Sequence, residues 1–186
     1  MYSSSFIFYI GLVSGLLLAG GFFLWWKKRN SFHGRLSRVL RKIGADSLND
    51  IVIPDGVDGE IQIDQLLLTD KGLLILDVRE ISGRLYAGEN MDEWAVINHS
   101  QRFTFTNPVG PLRERVIAVK SLLPDVPVQG RVVVIGTAAL PGGLPQCVVD
   151  LAMLGDQFSP DDKSARDKTN AFYPHWDRLR QIATPV

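Results

Sequence analysis

At 186 residues the chain has room for one ordinary domain and an accessory segment, not for two independent cores. Lys and Arg total 20, as do Asp and Glu, yet residues 27–42 hold seven bases and no acid, leaving 13 bases against 20 acids from residue 43 onward, a net charge of −7. Such an acidic body counts mildly against strong nucleic-acid affinity, since phosphate neutralisation supplies most nonspecific binding, although the basic stretch could still provide a local patch. The single cysteine, Cys147, excludes an intrachain disulfide and fits a reducing compartment, and three scattered histidines, at 33, 99 and 175, lack the pairing that a histidine zinc site needs.

Residues 6–26 form an uncharged run that, as a helix rising about 1.5 Å per residue, spans ~30 Å, the thickness of a bilayer's hydrocarbon core. Tyr2, Phe6 and Tyr9 flank one end and Phe22, Phe23, Trp25 and Trp26 the other, where aromatic rings favour the headgroup boundary. Lys27, Lys28 and Arg29 follow at once and, by the positive-inside bias, place the N-terminus outside and the remainder in the cytosol. A cleaved signal peptide fits poorly, because no basic residue precedes the apolar run and no small-x-small site follows it. The expected organisation is a single-pass anchor with a basic stop over residues 1–30 and a cytosolic domain over residues 31–186, with the bacterial inner membrane as the natural location.

The spacing of Phe32, Leu36, Val39, Leu40 and Ile43 predicts an amphipathic helix over 31–43, ended by Gly44. Arg35, Arg38, Arg41 and Lys42 fall on its other side, where anionic lipid headgroups would attract them by about 1 kcal/mol per base. Short extended runs follow at 51–53, 60–68, 72–78, 83–87 and, with interruptions, 94–105, predicting a mainly antiparallel sheet. Asn107 and Pro108 break the sheet, Pro111 opens a helix through residue 123, and Pro124 closes it. The apolar run 128–135 reads as a strand covered on both faces, and 146–154 as another. Residues 159–168 read as a charged loop, before a short helix over 175–182. The fold class is α/β: a transmembrane helix, then a mixed β-sheet flanked by helices.

No phosphate-binding loop, dinucleotide glycine motif, nucleophile elbow or paired-histidine zinc motif is present. The stretch that can carry chemistry is 59–79, a hairpin turning at Asp70 and Lys71. If Thr69 faces Gly72, Asp64 lies opposite Asp77 and Gln62 opposite Arg79, a polar quartet on one face amid leucines. Opposed carboxylates are tolerated with a cation between them, a shared proton or a nearby base such as Arg79. A glycine bulge in the turn would slip this register by one residue.

The sequence here resembles the nuclease-related domain (NERD) family, a branch of the PD-(D/E)xK nuclease-like fold. The resemblance runs over 31–135 and rests on Ile63 to Leu66, Gly72 to Arg79, Ser82 to Leu85, Trp94, and Asn107 with Pro108 before a helix. It implies that Asp64, Asp77 and Arg79 take the catalytic positions, with Asp64 and Asp77 holding Mg2+, or Mn2+ as a substitute, for phosphodiester hydrolysis. Gln62, Trp94 and Asn107 would line the site. Four departures stand beside the match. Arg35 replaces a glutamate at the start of the first helix, Asp77 replaces a glutamate, Arg79 replaces a lysine, and Pro111 replaces a glutamine. Arginine stabilises phosphate but cannot deprotonate as lysine can.

Three functions are consistent with these residues. One is a membrane-anchored nuclease-like domain with a degenerate site, used for binding or regulation; the second is an active Mg2+-dependent nuclease acting on nucleic acid; the third is a tethered protein-interaction domain with an unidentified partner. Outside catalysis, Trp94 reads as a site rim or a core residue, Asn107 as a cap or turn, and Cys147 as a small buried hydrophobe.

Overall fold

The computed structural model describes residues 31–56, 59–99, 101–160 and 164–186. The predicted membrane-spanning stretch 6–26 and the bases behind it lie outside these residues, and among the described residues no helix is long and apolar enough to cross a membrane. The described residues fall in two units, the first ending at Ser37 and the second the compact Arg38–Val186.

Helix α1 is Phe32–Ile43. In its first turn the Ser31 Oγ accepts from the Gly34 N–H at 3.1 Å, and the Arg35 guanidinium lies 4.5 Å from the Phe32 ring centroid. Its last turn buries Leu40 and Ile43, and the Gly44 N–H closes it on the Leu40 carbonyl at 2.8 Å, as the glycine predicted.

The second unit is built on one mixed sheet. Its strands are β1 (Asp46–Pro54), β2 (Glu60–Thr69), β3 (Gly72–Tyr86), β4 (Glu93–Asn98), β5 (Gln101–Thr106), β6 (Val128–Ala139), β7 (Val148–Val149) and β8 (Thr184–Pro185). The main path runs β5-β4-β3-β2-β1-β8, antiparallel throughout, and β6 joins β3 in parallel with β7 beyond it. The apolar run Val132 to Ile135 is buried, as a strand covered on both faces should be.

β3 is one strand of 15 residues where the sequence suggested two shorter ones. β6 borders it from Leu73 to Arg84, so the other edge is shared: β2 holds it from Gly72 to Leu76 and β4 from Arg84 to Tyr86. Among the described residues, nothing pairs with that edge of β3 between Asp77 and Gly83. The turn into β3 needs a glycine: Gly72 has φ +102°, and a Cβ there would sit 2.2 Å from the Pro127 carbonyl oxygen.

Helix α2, Val109–Leu122, starts two residues before Pro111. The first turn of a helix has no intrahelical partner for its N–H groups, so a proline at the third position costs nothing. Two expectations are corrected. The stretch 146–154 is a strand only at Val148–Val149; the Asp150 carboxylate then accepts from the Met153 N–H at 2.7 Å and caps helix α3, Leu151–Phe158. The final helix α4 is Ala165–Ile182, beginning inside the predicted loop and running through Pro174. Ala165, Thr169, Trp176 and Leu179 are buried along one face, and that packing outweighs the N–H lost at the proline. The Trp176 indole N–H reaches the Asp46 carboxylate at 2.9 Å and ties α4 to β1.

Candidate functional site

The β2–β3 hairpin turns at Asp70 and Lys71 with Thr69 paired to Gly72, and the register continues unslipped to Gln65 opposite Leu76. No bulge intervenes. The ladder stops one pair short of Asp64 and Asp77, where β3 loses its partner on that edge. Strand alternation then puts Gln62, Asp64, Asp77 and Arg79 on the face that carries Leu66, Leu68, Leu73 and Ile75.

Asp77 is 2% exposed, whereas Asp64 and Gln62 are exposed. Arg79, two residues along the same face, grips the Asp77 carboxylate in a bidentate fork: its Nε donates to Oδ1 and its Nη2 to Oδ2, the latter at 2.9 Å. That hydrogen bond lifts the Arg79 pKa further above its usual value; burial opposes it, and the charges of Asp77 and Asp64 reinforce it. The guanidinium carbon lies 5.9 Å from the Phe105 ring centroid.

A second guanidinium, not foreseen from the sequence, enters from α2. Arg115 donates through Nη1 to Asp77 Oδ2 at 3.3 Å and through Nε to the Gln62 main-chain carbonyl at 2.8 Å. It bridges the two strands where their ladder has ended. A signal for it existed: Leu112, Arg115 and Val119 stand at i, i+3 and i+7, so the base lies on the stripe of α2 that carries buried Leu112 and Val119.

The remaining expected site residues support the site rather than face it. Trp94 is fully buried, donates its indole N–H to the Gly88 carbonyl at 3.0 Å and meets the Phe105 ring edge-on at 6.0 Å, so Phe105 stands between it and Arg79. Asn107 is a staple. Its Nδ2 donates to the Glu89 and Met91 carbonyls at 3.0 and 2.7 Å, while its Oδ1 accepts from the Val109 N–H at 2.9 Å, joining loop 88–91 to the start of α2.

A divalent cation needs several oxygen ligands free to coordinate, and Mg2+ demands near-octahedral geometry. Both Asp77 oxygens are taken by guanidinium N–H groups, and the Gln62 carbonyl is taken by Arg115. Among the described residues Asp64 accepts no such hydrogen bond and acts on Arg79 through its charge. Among the described residues no group of three or more His, Cys, Asp or Glu side chains could hold a metal ion. The residues present do not fit a bound Mg2+.

An acid on one strand and an acid-x-base pair on its neighbour, placed where the two strands part and roofed by a helix, define a nuclease-like α/β domain. The chain belongs to the nuclease-related domain (NERD) family, whose model matches residues 27–135, in keeping with the PD-(D/E)xK nuclease-like superfamily. No curated protein and no solved structure proves similar to it. The match ends at Ile135, inside β6, so β7, α3, α4 and β8 lie beyond it.

Proposed function

We propose that this NERD-family chain is a membrane-tethered binding or regulatory domain whose nuclease-like site has exchanged its metal for arginine. The observation that carries the reading is the Asp77 carboxylate held by Arg79 and Arg115 together. Two guanidinium charges offset Asp77 and Asp64, so the site is neutral without a cation. The lysine position holds Arg79, a group that does not lose its proton at ordinary pH and so cannot serve as a general base. The tether rests on the uncharged run 6–26 and the bases behind it, with the domain on the cytosolic side.

Calorimetric titration of the full-length chain in non-ionic detergent with Mg2+ and Mn2+, beside cleavage assays on single- and double-stranded DNA and RNA, tests the site. Neither metal binding that depends on Asp77 nor cleavage is expected. Mg2+-dependent cleavage abolished by Asp77→Ala would establish a working nuclease instead. Arg79→Lys, which loosens the bidentate grip, should remain inactive because Arg115 still occupies Asp77. For the tether, a Ser3→Cys variant in intact cells should react with a membrane-impermeant maleimide while Cys147 does not. Labelling of Cys147 alone would reverse the assigned topology, and equal labelling of both thiols would refute a single crossing between them.

A further inference from the structure

On the flank of α2 away from Arg115 lies a cavity of about 1030 Å3, bounded by Leu112 and Val116, the start of β6, the segment 140–148 and α3. Gly130 lines it where α2 comes close, since a Cβ there would come within 2.8 Å of Leu112 Cγ and force the Leu112 side chain to shift. The segment from Leu140 onward and α3 lie beyond the residues that match the family model.

Its walls are apolar at Leu112, Val116, Leu140, Leu144 and Met153, but its charge is one-sided. Lys71, Arg113 and Arg131 line it against one acid, Glu89, which Arg113 already pairs at 2.9 Å. Arg131 donates to Gln157 Oε1 at 3.1 Å, Gln129 Oε1 at 3.0 Å and the Gly130 carbonyl at 2.8 Å, and packs its guanidinium 5.3 Å from the Phe158 ring centroid. Every acceptor is neutral, and among the described residues no carboxylate pairs with Arg131. Lys71 Nζ likewise ends on a neutral oxygen, the Gln157 carbonyl at 2.7 Å. Two cations thus converge on Gln157 without a counter-charge, in a body whose net charge is −7. Partial burial of a guanidinium is costly unless an anion compensates, and here it pulls the Arg131 pKa below its usual value.

We infer that this cavity binds a small organic anion with an apolar body, its carboxylate or phosphate held by Arg131 and Lys71 and its body lying on Leu112, Val116, Leu140 and Leu144. The size suits a ligand of metabolite or lipid-fragment scale. The site is separate from the Asp77 clamp and stands whether or not that clamp is catalytic.

Cys147 lines the cavity and is the chain's single cysteine, so its alkylation reports occupancy without competing thiols. The full-length chain in non-ionic detergent is treated with N-ethylmaleimide, alone or with 1-naphthyl phosphate, 2-naphthoate, 2-naphthol or inorganic phosphate, and followed by intact mass. Either naphthyl anion should slow alkylation at least about tenfold at saturation, with 2-naphthol and inorganic phosphate having little effect. Arg131→Gln should weaken binding of the effective anion at least about tenfold by calorimetry. Should that variant misfold, Leu144→Trp, which fills the cavity from its loop wall, is expected to abolish calorimetric binding, and Arg102→Gln on β5 to leave it unchanged. Protection by 2-naphthol equal to that of the anions, protection by inorganic phosphate alone, no protection by any probe, or undiminished binding in Arg131→Gln or Leu144→Trp would each overturn the inference.

Discussion

Replacing Asp77 by asparagine nearly keeps the shape of the side chain but removes its charge and turns one acceptor oxygen into a donor facing guanidinium N–H groups, so it tests charge and acceptor together. Three N–H groups reach the carboxylate, and hydrogen bonds to a charged partner contribute about 1.5–3 kcal/mol each. The full sum does not apply. The Arg79 side chain is 42% exposed, so water re-solvates it once the charge is gone and its share must be discounted. Arg115 is 18% exposed, and its contact, at 3.3 Å, is the longer one; yet its guanidinium has little water to fall back on, and an uncompensated buried charge is the larger penalty. We expect a net loss of about 3 kcal/mol, weighted toward Arg115. For a domain of 150–250 residues that is a fall in Tm of roughly 6–12 °C. Thermal melts followed by circular dichroism measure it, and double-mutant cycles with Arg79→Met and Arg115→Met apportion it. The coupling of Asp77 to Arg115 should exceed its coupling to Arg79. A Tm change under about 2 °C, or the reverse order of couplings, would refute the reasoning.

Asn107→Ala removes the side-chain hydrogen bonds by which Asn107 joins loop 88–91 to the start of α2 and should cost about 2 kcal/mol, with faster amide exchange in that loop and at Val109; unchanged exchange would mean that the staple is idle. Gly72→Ala places a methyl against the Pro127 carbonyl at φ +102° and should lower the urea midpoint by an amount worth more than about 2 kcal/mol; a neutral result would show that the turn relaxes freely. Burial raises the Cys147 thiol pKa. Its contribution to stability is therefore complete below the unfolded-state value of about 8.5 and is lost as pH climbs through the higher folded-state value. Between about pH 7 and about pH 10 the parent chain should lose more stability than Cys147→Ala, as urea midpoints would register; equal losses would contradict it.

The hairpin itself was legible because its determinant is local, a two-residue turn at Asp70 and Lys71; leucines on both faces left open whether a glycine bulge slips the register, and the unslipped pairing is what the structure has. β6 was legible from an apolar run too short for a helix, although its parallel partner was not. α4 was hidden by Pro174, since sequence alone does not reveal that Trp176 and Leu179 have a buried face to occupy. Asp150 is a cap signal masked by the apolar residues that surround it. The site divided in the same way. Asp64, Asp77 and Arg79 are near one another in the chain and could be grouped; Arg115 arrives from 38 positions beyond Asp77, and only its place on the buried stripe of α2 hinted at an inward role.

The connectivity of β3 sets an order of assembly. Its pairs with β2 join residues three to eleven positions apart, whereas every pair with β6 spans 55. Short loops close faster than long ones, so the hairpin is expected to zip first, with both aspartates in place before any arginine from α2 can reach them. During synthesis the nascent hairpin would thus hold Asp77 with Arg79 alone, which lies on the same strand, and lack the second guanidinium until α2 docks and the parallel crossover closes. Pulsed hydrogen exchange should find Leu66 to Ile75 protected ahead of Val132 to Val134, and the acidic pair at the split strands would be the last part of this molecule to become quiet.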